Sequence, residues 1–130
     1  MSITSDNYVQ NVLRSESPVT AELRDRLQNE VTIRLLHAAM GMATEAGEFL
    51  DMLKKHIFYG KPMDFINAKE EVGDQMWYAG LAIDVLQTTF NEVLTVNIDK
   101  LKARYPEKFT EEAAINRNLE IERAILELWL

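Results

Sequence analysis

The chain has 130 residues, enough for one domain around one hydrophobic core. Its 47% apolar and 27% charged residues make an ordinary globular composition. The lack of cysteine excludes disulfides and thiolate metal sites, and a net charge of −7 lacks the basic footprint of a duplex DNA or RNA binder. No apolar run is long enough to span a membrane, and MSITSDNYVQ lacks the basic and apolar regions of a secretory leader. The expectation is a cytoplasmic protein with no nucleic-acid or membrane partner.

Only Pro18, Pro62, Pro106 and sparse glycine interrupt a helical pattern. Residues 4–15 predict a short helix ending in SESP. From Pro18, TAELRDRLQNE opens a long helix over about 20–57. In it Val31, Leu35, Ala38, Met42, Ala46, Phe49 and Leu53 recur at helical spacing, with an irregularity expected near Thr32 or Gly41. FYGKPMD (58–64) reads as a turn. Gly60 stops one helix, Pro62 cannot continue it, and Asp64 caps the next, over about 64–87. That helix is dense in apolar residues from Met76 to Leu86 and is expected to be buried on most faces. A helix over 89–104 places Phe90, Val93, Leu94, Ile98 and Leu101 on one face and ends at Pro106. Residues 110–130 are helical by composition and finish in LELWL. No stretch alternates as a strand, so the fold class is an all-α bundle. Its apolar surface exceeds what a small bundle hides, which predicts a homo-oligomer. Trp77 and Trp129 read as packing or subunit contacts rather than base-stacking platforms.

TEAGEF (44–49) places Glu45 and Glu48 one turn apart inside an apolar run. On a helical wheel both border the apolar stripe, whereas Asp51 and Lys54 fall on the solvent side. KEEVGDQMWY (69–78) repeats the pattern with Glu71 and Asp74, and Tyr78 shares the face of Glu71. The short turn makes the two helices antiparallel neighbours, so the pairs can face each other across one groove. Four converging carboxylates repel at neutral pH, and a hard divalent cation resolves the conflict. Mg²⁺ fits best, since it takes a few carboxylates and leaves positions for water and phosphate. Chance alone supplies roughly three or four acidic i, i+3 pairs, such as Glu22/Asp25 and Glu48/Asp51. The signal is therefore the two pairs on consecutive helices, each at the edge of an apolar face. A ferritin-like di-iron site needs Glu-x-x-His, and neither His37 nor His56 follows a Glu by three. Two histidines without cysteine also argue against zinc.

EAGE (45–48) followed by EVGD (71–74) resembles the E-x-x-E…E-x-x-D signature of the MazG-like all-α nucleoside triphosphate pyrophosphohydrolases, at the family's usual interval. Tyr78 matches a common family position, NIDKLKARYPEKF (97–109) resembles its Asn…Lys…Arg segment, and HIFYGKPMD resembles the inter-helix loop of phage-type members. The resemblance covers about residues 30–109 of a single domain over 1–130, with flanking helical segments at 1–25 and 110–130. It implies hydrolysis of a nucleoside triphosphate between the α- and β-phosphates, with Mg²⁺ (Mn²⁺ as substitute) held by Glu45, Glu48, Glu71 and Asp74. It further implies Asn97 and Lys100 on phosphate or sugar, Arg104 and Lys55 as secondary phosphate contacts, Tyr78 on phosphate or ribose, and His37 near the base. A dimer or tetramer would complete the sites. The phage-like loop points to a guanine nucleotide and a role in shaping or sanitising a dNTP pool, in the host cytoplasm if phage-encoded, with dCTP or dUTP as rivals. Each residue also has a plain alternative. Tyr78 and His37 fit a packed core or edge, Arg104 a helix C-terminus, and Lys54, Lys55 and Glu70 a solvated surface. Two wider alternatives are a helical interaction module with non-catalytic acid pairs and a hydrolase of another nucleotide polyphosphate.

Overall fold

The computed structural model describes residues 2–128, so Trp129 lies outside the described residues. The regular structure among them is entirely helical: α1 (Ser5–Ser15), α2 (Ala21–Gln28), α3 (Glu30–Tyr59), α4 (Phe65–Val85), α5 (Phe90–Arg104), α6 (Glu111–Ile115) and α7 (Leu119–Glu127). The chain divides into two compact units between Ile33 and Arg34, inside the first turn of α3.

In the first unit a capping box starts α1. The Thr4 hydroxyl accepts from the Asn7 N–H, and Asn7 Oδ1 accepts from the Thr4 N–H at 2.9 Å. Thr20 caps α2 through the Leu23 N–H. The helix expected over 20–57 is broken at Asn29, not at Thr32 or Gly41, which both lie within α3. The Asn29 backbone turns extended (φ −67°, ψ 128°) and ends α2, while its Oδ1 accepts from the Thr32 N–H at 3.2 Å. A short amide that can bond the following backbone competes with helix continuation and favours such a boundary.

In the second unit Gly60 adopts φ +64°, the left-handed conformation that ends α3. His56 Nδ1 donates to the Lys61 carbonyl at 2.8 Å and ties the turn back onto the helix. Asp64 then caps α4 by accepting from the Ile66 and Asn67 N–H groups at 3.1 and 3.0 Å. Where α3 meets α4, the Tyr78 ring lies directly on Gly41. A Cβ added to Gly41 would stand 2.2 Å from Tyr78 Cδ1. Thr89 starts α5 with a second capping box, and α5 packs on α7.

The helix expected over 110–130 is two short helices. Asn116 ends α6, and the Asn118 side chain caps α7 by accepting from Ile121 N–H at 3.1 Å. Of the described apolar side chains only Ala38, Met52 and Val96 are buried. Helix α4 is not enclosed on most faces as its composition suggested, since Met76, Trp77 and Leu86 remain exposed within one chain.

One buried charge ties α7 to α5. Glu122, 5% exposed, accepts from Arg104 Nε at 2.8 Å and Arg104 Nη2 at 2.7 Å, and from Arg117 Nη2 at 2.6 Å. Hydrogen bonds from Arg104 and then Arg117 hold the Glu122 carboxyl down at about 2. A carboxylate with a depressed folded pKa contributes stability that is complete above its ordinary value near 4.5 and is lost as pH falls toward about 2. Thermal melts of Glu122→Gln should therefore show a lower melting temperature than wild type at pH 7, and a shallower acid decline between pH 4.5 and 2. Equal melting curves for the two proteins across that window would refute the pairing.

Candidate functional site

Three of the four signature acids converge. Glu45 on α3 and Glu71 and Asp74 on α4 each offer a carboxylate oxygen, and these atoms lie within 4.8 Å of one another. Glu71 is buried (4% exposed), Glu45 half-buried and Asp74 exposed, so the cluster runs from the interior to the surface. None of the four acids forms an ion pair with a Lys, Arg or His among the described residues. The Glu45 carboxyl is accordingly pushed above its usual value. Loss of water contact is the largest cause, followed by the charges of Glu48, Asp74 and Glu71 and a hydrogen bond with Glu71.

Glu48 stands outside this tight group and faces a cavity of about 840 Å³ beside it. Along α3 the cavity is lined by Glu48, Asp51, Met52 and Lys55, spaced i, i+3, i+4, i+7 as one face of a helix should be. The α3–α4 turn and the start of α4 supply the opposite wall, including Lys61, Met63, Phe65 and Asn67, and Glu71 joins cavity to cluster. Asp51 therefore does not point away to solvent as the wheel suggested. It is half-buried, and Lys54 and Lys55 bind its two oxygens at 2.7 and 2.6 Å, holding its carboxyl near 2.

The other predicted contacts lie elsewhere. Tyr78 packs edge-on against His37 (ring centroids 5.7 Å, 70°) and Trp77 (5.0 Å, 84°), over Gly41, and lines no part of the large cavity. His37 is exposed. Asn97 borders a separate cavity of about 340 Å³ with Thr88, Val96 and Leu126. Lys100 is half-buried and has no ion pair among the described residues. The fork of Arg104 is taken up by Glu122. Within one chain, Asn97, Lys100 and Arg104 are not brought to the cavity beside the acids.

Sequence reasoning passed over Lys61, Phe65 and Asn67. For Asn67 a signal existed, because it precedes Glu71 by one turn and shares its face. Its Nδ2 donates to Glu71 Oε1 at 2.7 Å. Lys61 gave no such signal, since only the fold of the turn brings it to the cavity.

The model of the MazG nucleotide pyrophosphohydrolase domain matches residues 35–109, more than half of the chain. The chain belongs to the MazG family. It is a nucleoside triphosphate pyrophosphohydrolase of a metal-dependent kind, and the matched span holds all four signature acids and the whole of the large cavity. No curated protein and no solved structure matches it. The MazG domain ends before Glu122, so the Arg104–Glu122 pair ties it to a segment outside the match. No helix among the described residues is long and apolar enough to cross a membrane.

The donor set fits a divalent cation. It is all oxygen, already gathered and without cationic partners among the described residues, which suits a hard divalent cation better than a thiolate- or imidazole-seeking metal.

Proposed function

We propose that this MazG domain hydrolyses a (deoxy)nucleoside triphosphate between the α- and β-phosphates, giving the monophosphate and pyrophosphate, with Mg²⁺ as the working ion and Mn²⁺ as a substitute. The observation that carries this reading is the gathering of the Glu45, Glu71 and Asp74 carboxylates, with Glu71 also lining a cavity that holds Glu48, Lys55 and Lys61. Glu45, Glu71 and Asp74 would hold the ion, with Glu48 reaching it from the cavity side. Bound there, the ion supplies charge neutralisation at the phosphate oxygens and a lowered pKa for the attacking water. Lys61 would place a point charge against the outer phosphates, and Lys55 would join it by exchanging Asp51 for a phosphate oxygen. Met52, Met63 and Phe65 would give the base an apolar wall. The cavity lies within the range of about 300–1,000 Å³ usual for small-molecule sites.

The proposed substrate is a guanine nucleotide drawn from the dNTP pool. In support, the Asp64 carboxylate lines the cavity and can accept from the N–H edge of guanine. We place the protein in the cytoplasm as a homo-oligomer, a dimer or a tetramer. Met76, Trp77 and the other exposed apolar side chains of α4 are surface for a second copy to cover, and the partner chain would then bring Asn97 and Lys100 to the phosphates.

The test is a panel of every NTP and dNTP with Mg²⁺, products resolved by chromatography, with Glu48→Gln alongside. Monophosphate plus pyrophosphate, fastest with dGTP or GTP and lost in the variant, is the expected result. Diphosphate plus phosphate would place the cut at the wrong bond. A companion thermal melt should show Mn²⁺ raising the melting temperature, since a ligand at 100 times its Kd stabilises the native state by about 2.7 kcal/mol.

A further inference from the structure

We infer that Asn67 is a positioning residue for the metal site, setting the orientation of Glu71. The inference rests on the metal-binding reading proposed above.

Asn67 is the third residue of α4. A polar side chain there commonly reaches back to the backbone of the cap residue. Here the direction is reversed. The Asn67 backbone N–H is held by Asp64 Oδ1 at 3.0 Å, and its side-chain amide runs forward one turn to Glu71 Oε1 at 2.7 Å. Asp64, Asn67 and Glu71 thus form a chain of hydrogen bonds from the cavity's turn to the most buried acid of the cluster. Farther along α4, the Gln75 side chain donates to the Glu71 backbone carbonyl at 3.1 Å, whereas Asn67 donates to the Glu71 carboxylate itself.

A buried carboxylate needs its lone pairs met. An amide N–H on one oxygen meets part of that need and restrains the rotation of the group, leaving the second oxygen without a donor from Asn67. An amide is suited to this role in a crowded anionic cluster. It donates without adding a charge, whereas a lysine or arginine would neutralise the field that draws the cation, and an aspartate would add to the repulsion. Partners that orient a metal ligand are worth about 10–100-fold in metal affinity.

The experiment is Mn²⁺ titration of the full-length, nucleotide-free protein, with free ion read by electron paramagnetic resonance. Wild type, Asn67→Ala, Asn67→Leu and Glu71→Gln are compared, each checked by circular dichroism and a metal-free melt. The two Asn67 variants should bind Mn²⁺ about 10–100-fold more weakly while keeping wild-type helicity, with the metal-free melting temperature lowered by no more than the loss of one buried hydrogen bond. Alanine suits a helix, and leucine keeps the shape without the donor, so one of the two is expected to fold even if the other does not. A Kd within twofold of wild type in a folded Asn67 variant, with binding lost in Glu71→Gln, would overturn the role of Asn67 and leave the metal site standing. A lowered metal-free melting temperature with unchanged Kd would mark Asn67 as merely structural, and also overturn it. Unchanged binding in Glu71→Gln would remove the metal site and the inference together.

Discussion

Glu45→Gln should leave the metal-free protein more heat-stable than wild type at pH 7 and nearly inactive. The two effects share one cause. Glu45 has lost water contact, stands near the charges of Glu48, Asp74 and Glu71, and has no cationic partner among the described residues, so its negative form is disfavoured and its carboxyl is raised above 4.5. A folded-state pKa raised above the unfolded value means that the fold keeps this proton to higher pH than the open chain does. Stability then declines as pH rises from about 4.5 through the folded value and stays reduced at neutrality. Glutamine removes the charge and keeps the shape, so the penalty disappears. It also removes an anionic ligand, and kcat/KM should fall by at least about 10²-fold, beyond the usual cost of losing an orienting partner alone. Melts with and without Mn²⁺ should show a higher baseline and little or no metal-induced rise. A lower metal-free melting temperature with turnover retained would contradict both halves. In the wild type, metal affinity should weaken below neutral pH as protons compete for the same oxygens.

At Gly41 the expected effect falls on the fold. An added Cβ would stand 2.2 Å from Tyr78 Cδ1 and Cε1 and 2.4 Å from Cγ. Cγ cannot retreat by a swing of the ring's far end, so either the Tyr78 χ1 changes or the helices part. In Gly41→Ala the helix gains about 1 kcal/mol from losing a glycine, but overpacking costs about 1–3 kcal/mol. The clash should win, because relief at Tyr78 also disturbs its edge contacts with His37 and Trp77. Gly41→Val should be worse, and its melting temperature should fall by roughly 5 °C or more. A cycle with Tyr78→Leu tests the cause. The Gly41→Ala/Tyr78→Leu double variant should be less destabilised than the sum of the singles. Strict additivity would mean that the ring and the glycine are not coupled. Because α3 carries Glu45 one turn beyond Gly41, and α4 carries Asp74 one turn before Tyr78, activity should fall along with stability.

What sequence alone determined about this protein is what local chemistry determines. The i, i+3 spacing of Glu45/Glu48 and Glu71/Asp74 needs only the pitch of a helix. The stop at Gly60 and the cap at Asp64 need only their own backbone and its nearest neighbours. The all-helical character and the family signature are legible for the same reason. Boundaries set by asparagine were local too, yet Asn29 and Asn118 read as ordinary helix positions, because an amide can either continue a helix or cap one.

The tertiary structure alone decided which partners meet. Arg104 is a fork that suits phosphate or carboxylate equally, and only the packing of α5 on α7 hands it to Glu122. Tyr78 is equally fit for a ligand or a neighbour, and the missing side chain at Gly41 opens the place it fills. Lys61 enters the cavity because the turn tied by His56 folds it there. A helical wheel gives the direction of a side chain from its own axis. What stands opposite depends on where another helix lies, and that position results from packing summed over residues far apart in the chain.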